Sequence, residues 1–97
     1  MALGGEVLTR GWKPIQNVND PIVVDIGKFA VDEHNKEEHM SLKFEKVVKG
    51  ETQVVAGTKY SLTIMAADNN VEHNYVVVVW DKPWQKFRLL SSFKGPI

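Results

Sequence analysis

Apolar positions recur along this chain with two different periods. From Pro21 to about Asn35 they fall at Ile22, Val23, Ile26, Phe29 and Ala30, three to four residues apart. That spacing builds one apolar stripe along a helix. Asp20 supplies a capping side chain, and Pro21 suits the first helical position. The charged run Lys36-Glu37-Glu38-His39 forms the exit. Gly27 lies within the stripe and costs about 1 kcal/mol relative to alanine there, which implies close packing against the helix at that point.

Beyond residue 41 the period is two. Leu42, Phe44 and Lys46 alternate with Lys43, Glu45 and Val47. Tyr60, Leu62, Ile64 and Ala66 alternate with Lys59, Ser61, Thr63 and Met65. Both patterns predict strands. Val71 to Trp80 is β-branched and apolar on both faces, a strand that Asp81-Lys82-Pro83 should break. Lys86 to Phe93 alternates again, with Phe87, Leu89 and Phe93 expected on one face. Asp68-Asn69-Asn70 reads as a turn, because these residues tolerate a left-handed backbone. Trp12 to Val18 reads as a short edge strand, weakened by Pro14. Residues 1–11 carry Gly4, Gly5 and Gly11 and read as a flexible tail, leaving 12–97 as one domain. One helix with strands in hairpin succession predicts an α+β fold, an antiparallel sheet packed on the helix.

Composition narrows the function. Lys plus Arg is 12 and Asp plus Glu is 12, so the formal charge is zero and the basic excess of a nucleic-acid binder is missing. The longest apolar run, Tyr75 to Trp80, is too short to span a bilayer, so no membrane partner is expected. The N-terminus lacks the basic and apolar stretches of a signal peptide, which predicts a cytoplasmic chain or the mature form of a secreted one. There is no cysteine, hence no disulfide and no thiolate chemistry. His34, His39 and His73 do not fall at metal-ligand spacing, and the first two read as solvated residues at a helix end. The carboxylate pairs Asp32-Glu33 and Glu37-Glu38 point in different directions on a helix and make poor acid–base partners. Ser61, Ser91 and Ser92 lack a nucleophile-elbow context, and no phosphate-binding glycine loop occurs. The expectation is a protein that is not an enzyme and that uses no metal or cofactor.

Two turns stand apart. Gln53-Val54-Val55-Ala56-Gly57 places apolar residues where a hairpin reverses, although turns favour polar ones. Pro83-Trp84 places an indole in a second turn. Burying a tryptophan covers ~150–250 Å² and at about 25 cal/mol per Å² contributes ~4–6 kcal/mol before costs. From spacing alone, each turn either folds back on the core or meets a partner.

These residues carry a family resemblance. Gln53-Val54-Val55-Ala56-Gly57 resembles the central Gln-x-Val-x-Gly motif of the cystatins, inhibitors of papain-like cysteine peptidases. Pro83-Trp84 is similar to the second loop of that family. Ile26-Gly27-Lys28-Phe29-Ala30-Val31-Asp32-Glu33-His34-Asn35-Lys36 resembles the helix signature of the plant cystatins. The three matches occur in family order over about residues 11–95. The resemblance implies about five antiparallel strands wrapped around one long helix. It implies reversible, tight-binding inhibition, with an N-terminal segment and two hairpin loops entering the peptidase cleft as a wedge. Val54 and Val55 would supply apolar surface, Ala56 and Gly57 a narrow turn open to close approach, and Trp84 an anchor on a loop stiffened by Pro83. Family members often carry Gly-Gly before the first strand. Here Arg10-Gly11 occupies that place, so Gly11 is the favoured contact glycine and Gly5 the alternative. The active form would be a monomer, with a strand-exchanged dimer as a second form. The rival reading is a non-inhibitory binding module on the same fold.

Overall fold

A computed structural model describes residues 11–97. The tail reading of residues 1–11, apart from Gly11, and the Gly5 alternative lie outside the described residues. In chain order the elements are strand β1 (Trp12–Pro14), helix α1 (Pro21–Glu38), β2 (Lys43–Val54), β3 (Thr58–Asp68), β4 (Val71–Lys82), a 3-10 turn (Pro83–Gln85) and β5 (Phe87–Lys94). The strands form one antiparallel sheet in the order β1-β2-β3-β4-β5. The expected α+β architecture is therefore present, with the helix against one face of the sheet.

Local chemistry sets the ends of α1. The Asp20 carboxylate accepts the Ile22 N–H at 2.9 Å and caps the first turn. His39 closes the helix in left-handed backbone, φ 55°. The Asn35 side chain then joins α1 to the sheet. Its amide donates to the Leu42 carbonyl and its oxygen accepts the Leu42 N–H, both at 3.0 Å. The buried stripe is Val23, Ile26, Gly27, Ala30 and Val31. Ile22 is exposed, contrary to expectation, and Phe29 is only partly buried. Both lie more than about 90° round the helix from the centre of that stripe. The packing expected at Gly27 comes from Phe44: a β-carbon there would lie 2.7 Å from the ring.

The strands depart from strict alternation where bulges intervene. Glu45 and Val48 are extra residues in β2, so Leu42, Phe44 and Val47 all reach the core. Alternation alone had put Val47 on the opposite face. In β5 the extra residue is Ser91. It turns Leu90 and Phe93 inward together and leaves Leu89 exposed beside Trp80, which corrects the expected Phe87, Leu89, Phe93 face. β1 is shorter than expected. After Pro14, only Ile15 keeps a sheet-like bond, to the Gly50 carbonyl at 2.8 Å. β4 runs on through Asp81 and Lys82, and the break falls at Pro83. The Asn69-Asn70 turn is as expected, with φ 51° and 68°. Leu62, Ile64, Val77 and Val79 from the sheet meet Ile26 and Val31 from the helix in the core.

Candidate functional site

Strand register determines what gathers at one end of the sheet. β2 ends and β3 begins at the first loop; β4 ends and β5 begins at the second. Val54 pairs with Thr58, Thr58 with Asp81, and Asp81 with Arg88, so both loops emerge side by side. β1 starts at the same end, because Trp12 pairs with Gln53. Gly11 precedes it with φ 97°, and a β-carbon there would lie 3.0 Å from the Gln53 side-chain nitrogen. The structure thus brings Gly11, Gln53, Val54, Val55, Ala56, Gly57, Pro83 and Trp84 to one edge.

The first loop is narrow because two successive residues adopt positive φ, Ala56 at 45° and Gly57 at 109°. The Val55 N–H donates to the Gly57 carbonyl at 3.0 Å. Val54 is 80% exposed and Val55 38%. Neither valine folds back on the core. Gly57 has a different neighbour from the one expected. A β-carbon there would lie 2.5 Å from the Asp81 carbonyl oxygen, so its close approach is to β4 of its own chain. The second loop is the 3-10 turn, closed by Lys86 at φ 51° with its N–H on the Pro83 carbonyl at 3.0 Å. Trp84 stands on it 64% exposed.

The edge therefore presents projecting apolar side chains on short, hydrogen-bonded turns. Among the described residues no three His, Asp or Glu side chains gather as metal ligands. No helix of the described residues is long and apolar enough to cross a membrane. Residues 15–95 match the family described as "SQAPI: Aspartic acid proteinase inhibitor". Cysteine proteinase inhibitor 5 of Arabidopsis thaliana is 60% identical over 85 residues, covering 87% of this chain and 70% of its own. Cysteine proteinase inhibitor 1 of Actinidia chinensis is 53% identical over 88 residues, covering 91% and 76%. The chain belongs to the plant cystatins. Its fold matches that of mialostatin, a gut cystatin from the hard tick Ixodes ricinus, with TM-score 0.75 at 20% identity over 87% of this chain and 95% of that one. The family resemblance carried by the loop and helix motifs is confirmed, and with it a protein that is an inhibitor by family and not an enzyme.

In this cystatin the loop edge rests on side chains that the motifs do not contain. Trp80 lies on the outer face of β4, two residues before its end, and its indole N–H donates to the Val55 carbonyl at 3.2 Å. Phe87 meets the indole edge-on at 5.8 Å. Lys59 and Lys82 stand over the ring at 5.3 and 4.1 Å. One tryptophan therefore touches the first loop and both shoulders of the second. Its bond to Val55 crosses between hairpins, and only the register reveals it.

On the inner face, the buried Asp81 carboxylate accepts from Arg88 Nε at 2.9 Å. Asp81 is the buried charged side chain among the described residues, and its cation partner offsets the cost of burial. Arg88 also lies over the Phe29 ring at 5.7 Å. Burial, then the charge of Asp81, raises the Tyr60 phenol pKa, and Arg88 opposes that rise. His34, expected to be solvated, is partly buried and stacks on Phe93 at 3.7 Å. That stack ties the end of α1 to β5.

Proposed function

We propose that this chain is a reversible, tight-binding inhibitor of papain-like cysteine endopeptidases that blocks the active-site cleft with its loop edge. The observation that carries the reading is the outward projection of Val54, Val55 and Trp84 from two adjacent, internally bonded turns. Val54 and Val55 supply apolar surface at the tip. Trp84 is the anchor, held by a turn whose Pro83 limits the entropy lost on docking. Gln53 lies beside Gly11 behind the tip, and Gly11 bends the N-terminal segment toward the cleft, with Gly5 as the alternative hinge. No peptide bond need be offered to the catalytic thiolate. The block is steric and reversible, and a rigid wedge needs little rearrangement.

The matched family's description favours a second reading, inhibition of an aspartic proteinase. The names of the relatives at 60% and 53% identity support the cysteine-peptidase reading. Titration against papain and pepsin separates the two. Papain should be inhibited, and inhibition should fall with Gln53→Ala combined with Val55→Asp. Inhibition of pepsin alone would overturn the reading. Removing residues 1–9 should leave inhibition intact if Gly11 is the hinge, and abolish it if Gly5 is. The active form is the monomer. Ala56 is a non-glycine residue at positive φ, a strain that opening the loop would relieve. A dimer that exchanged strands through this loop would lose the tip. Equal inhibition per chain by monomer and dimer fractions would refute that assignment.

A further inference from the structure

The charge at the loop end differs from that of the whole chain. The sequence is neutral, with 12 Lys and Arg against 12 Asp and Glu. Among the described residues, Lys13, Lys59, Lys82, Lys86 and Arg88 stand around the two loops, against Asp20, Glu51 and Asp81. Arg88 and Asp81 neutralise each other in their pair. Four ammonium groups remain for two carboxylates, Asp20 and Glu51. At the far end, Asp32, Glu33, Glu37 and Glu38 crowd the last turns of α1, and Asp68 and Glu72 flank the β3–β4 turn. These anions outnumber Lys36, Lys43 and Lys46. The eleven residues of β3, at about 3.3 Å each, set the two ends roughly 35 Å apart. That is about four Debye lengths at physiological ionic strength. A partner near the loops therefore meets a positive end, not a neutral molecule.

The cations there are placed as well as numerous. Lys59 lies opposite Trp80 in the sheet, and Lys82 follows two residues on, so both stand on the outer face. The indole carries both ammonium groups, at 5.3 and 4.1 Å, and Phe87 adds a second ring 5.0 Å from Lys82. Such contacts hold the apolar stems and leave the charged heads toward water. Lys86 closes the second loop and is exposed. The ion pairs among the described residues are Lys36 with Glu33 and Arg88 with Asp81, so neither engages these three lysines.

We propose that the shoulder formed by Lys59, Lys82 and Lys86 docks against an acidic rim beside the cleft of the target, so that the preferred targets are papain-like peptidases carrying Asp and Glu on that rim. The inference rests on the cysteine-peptidase reading and adds the charge of the partner. Complementary charge acts chiefly on the association rate, whereas the apolar tip acts on dissociation.

Stopped-flow association tests this with a papain-like peptidase bearing an acidic rim, and with the same peptidase after its rim carboxylates are changed to Asn and Gln. The wild-type rate on the acidic rim should fall about tenfold or more between low salt and about 0.5 M salt. Lys59→Gln, Lys82→Gln and Lys86→Gln together should lower the low-salt rate by about tenfold and remove most of its salt dependence, with little change in dissociation. The triple Arg variant should keep the wild-type rate, because it keeps the charge. Lys43→Gln with Lys46→Gln, at the far end, should also keep it. On the neutralised rim, wild type and the Gln variant should associate equally. A salt-independent wild-type rate, a Gln variant as fast as wild type, or an Arg variant as slow as the Gln variant overturns the proposal. Absence of inhibition of both peptidases by wild type would overturn the function reading, and this inference with it.

Discussion

Truncating Trp84 to alanine tests the wedge most directly. The side chain is 64% exposed on a turn that its own backbone bond keeps closed. Covering a whole tryptophan removes ~150–250 Å² from water. The part still exposed is therefore roughly 100–160 Å², which at about 25 cal/mol per Å² corresponds to ~2.5–4 kcal/mol if a peptidase covers the ring. Each 1.4 kcal/mol is a factor of ten, so the inhibition constant of Trp84→Ala should rise roughly 60- to 700-fold. Most of the loss should appear as faster dissociation, because truncating an apolar contact leaves long-range steering unchanged. Progress curves against papain give both rates. The fold should be indifferent: removing an exposed side chain changes stability by less than about 0.5 kcal/mol. A rise below about threefold, with unchanged melting, would mean that the indole stays in water in the complex. A large loss of melting temperature would instead mean that the ring supports the fold.

Three other outcomes follow from the geometry. Gly57→Ala would place a β-carbon 2.5 Å from the Asp81 carbonyl at φ 109° and should cost at least about 2 kcal/mol in urea unfolding; a neutral result would mean that β4 does not hold the loop. Asn35→Ala should cost about 1–3 kcal/mol, since it leaves both Leu42 backbone groups without their partner, and an unchanged urea midpoint would refute that role. Tyr60 and Tyr75 both have phenol pKa values raised above 10.0, first by burial and then by nearby carboxylates, Asp81 for Tyr60 and Asp68 for Tyr75. An acid whose pKa is raised on folding stabilises through its neutral form; that contribution is whole below about pH 10 and is lost as pH climbs through the folded value. Melting temperature should therefore fall above about pH 10, and less steeply in Tyr60→Phe with Tyr75→Phe; equal slopes would count against the assignment.

The helix was legible from Asp20, Pro21 and the stripe through Val23, Ile26 and Ala30, because capping and a 3.6-residue period are local properties. The Asn69-Asn70 turn was legible for the same reason, and the two loops stood out as apolar residues in turn positions. What escaped was everything set across strands. The bulges at Glu45, Val48 and Ser91 have no residue signature, yet each reverses the faces that follow. Val47 and Leu89 were misplaced for that reason alone. Asp81 looked like a breaker because a lone aspartate suits a turn; its partner Arg88 becomes adjacent only once β4 and β5 pair. The role of Trp80 stayed hidden likewise, since Val55 is 25 residues away along the chain.

These cross-strand contacts also explain how an apolar tip can stay rigid in water. Exposed valines on a free hairpin would sample many conformations, and ordering them on docking would weaken binding by about 0.5–1.5 kcal/mol for each immobilised side chain. Here Gly57 is seated against the Asp81 carbonyl, the Val55 carbonyl is held by Trp80, and Lys86 closes the turn that carries Trp84. The ordering cost is met when the chain folds, by packing and hydrogen bonds of the sheet. None of these braces is a disulfide, because the chain has no cysteine. A thiol peptidase needs its cysteine reduced, and the reductant that keeps it active finds nothing to break in this wedge. The rigidity that makes the edge a blocking surface is therefore independent of the redox conditions in which such a target works.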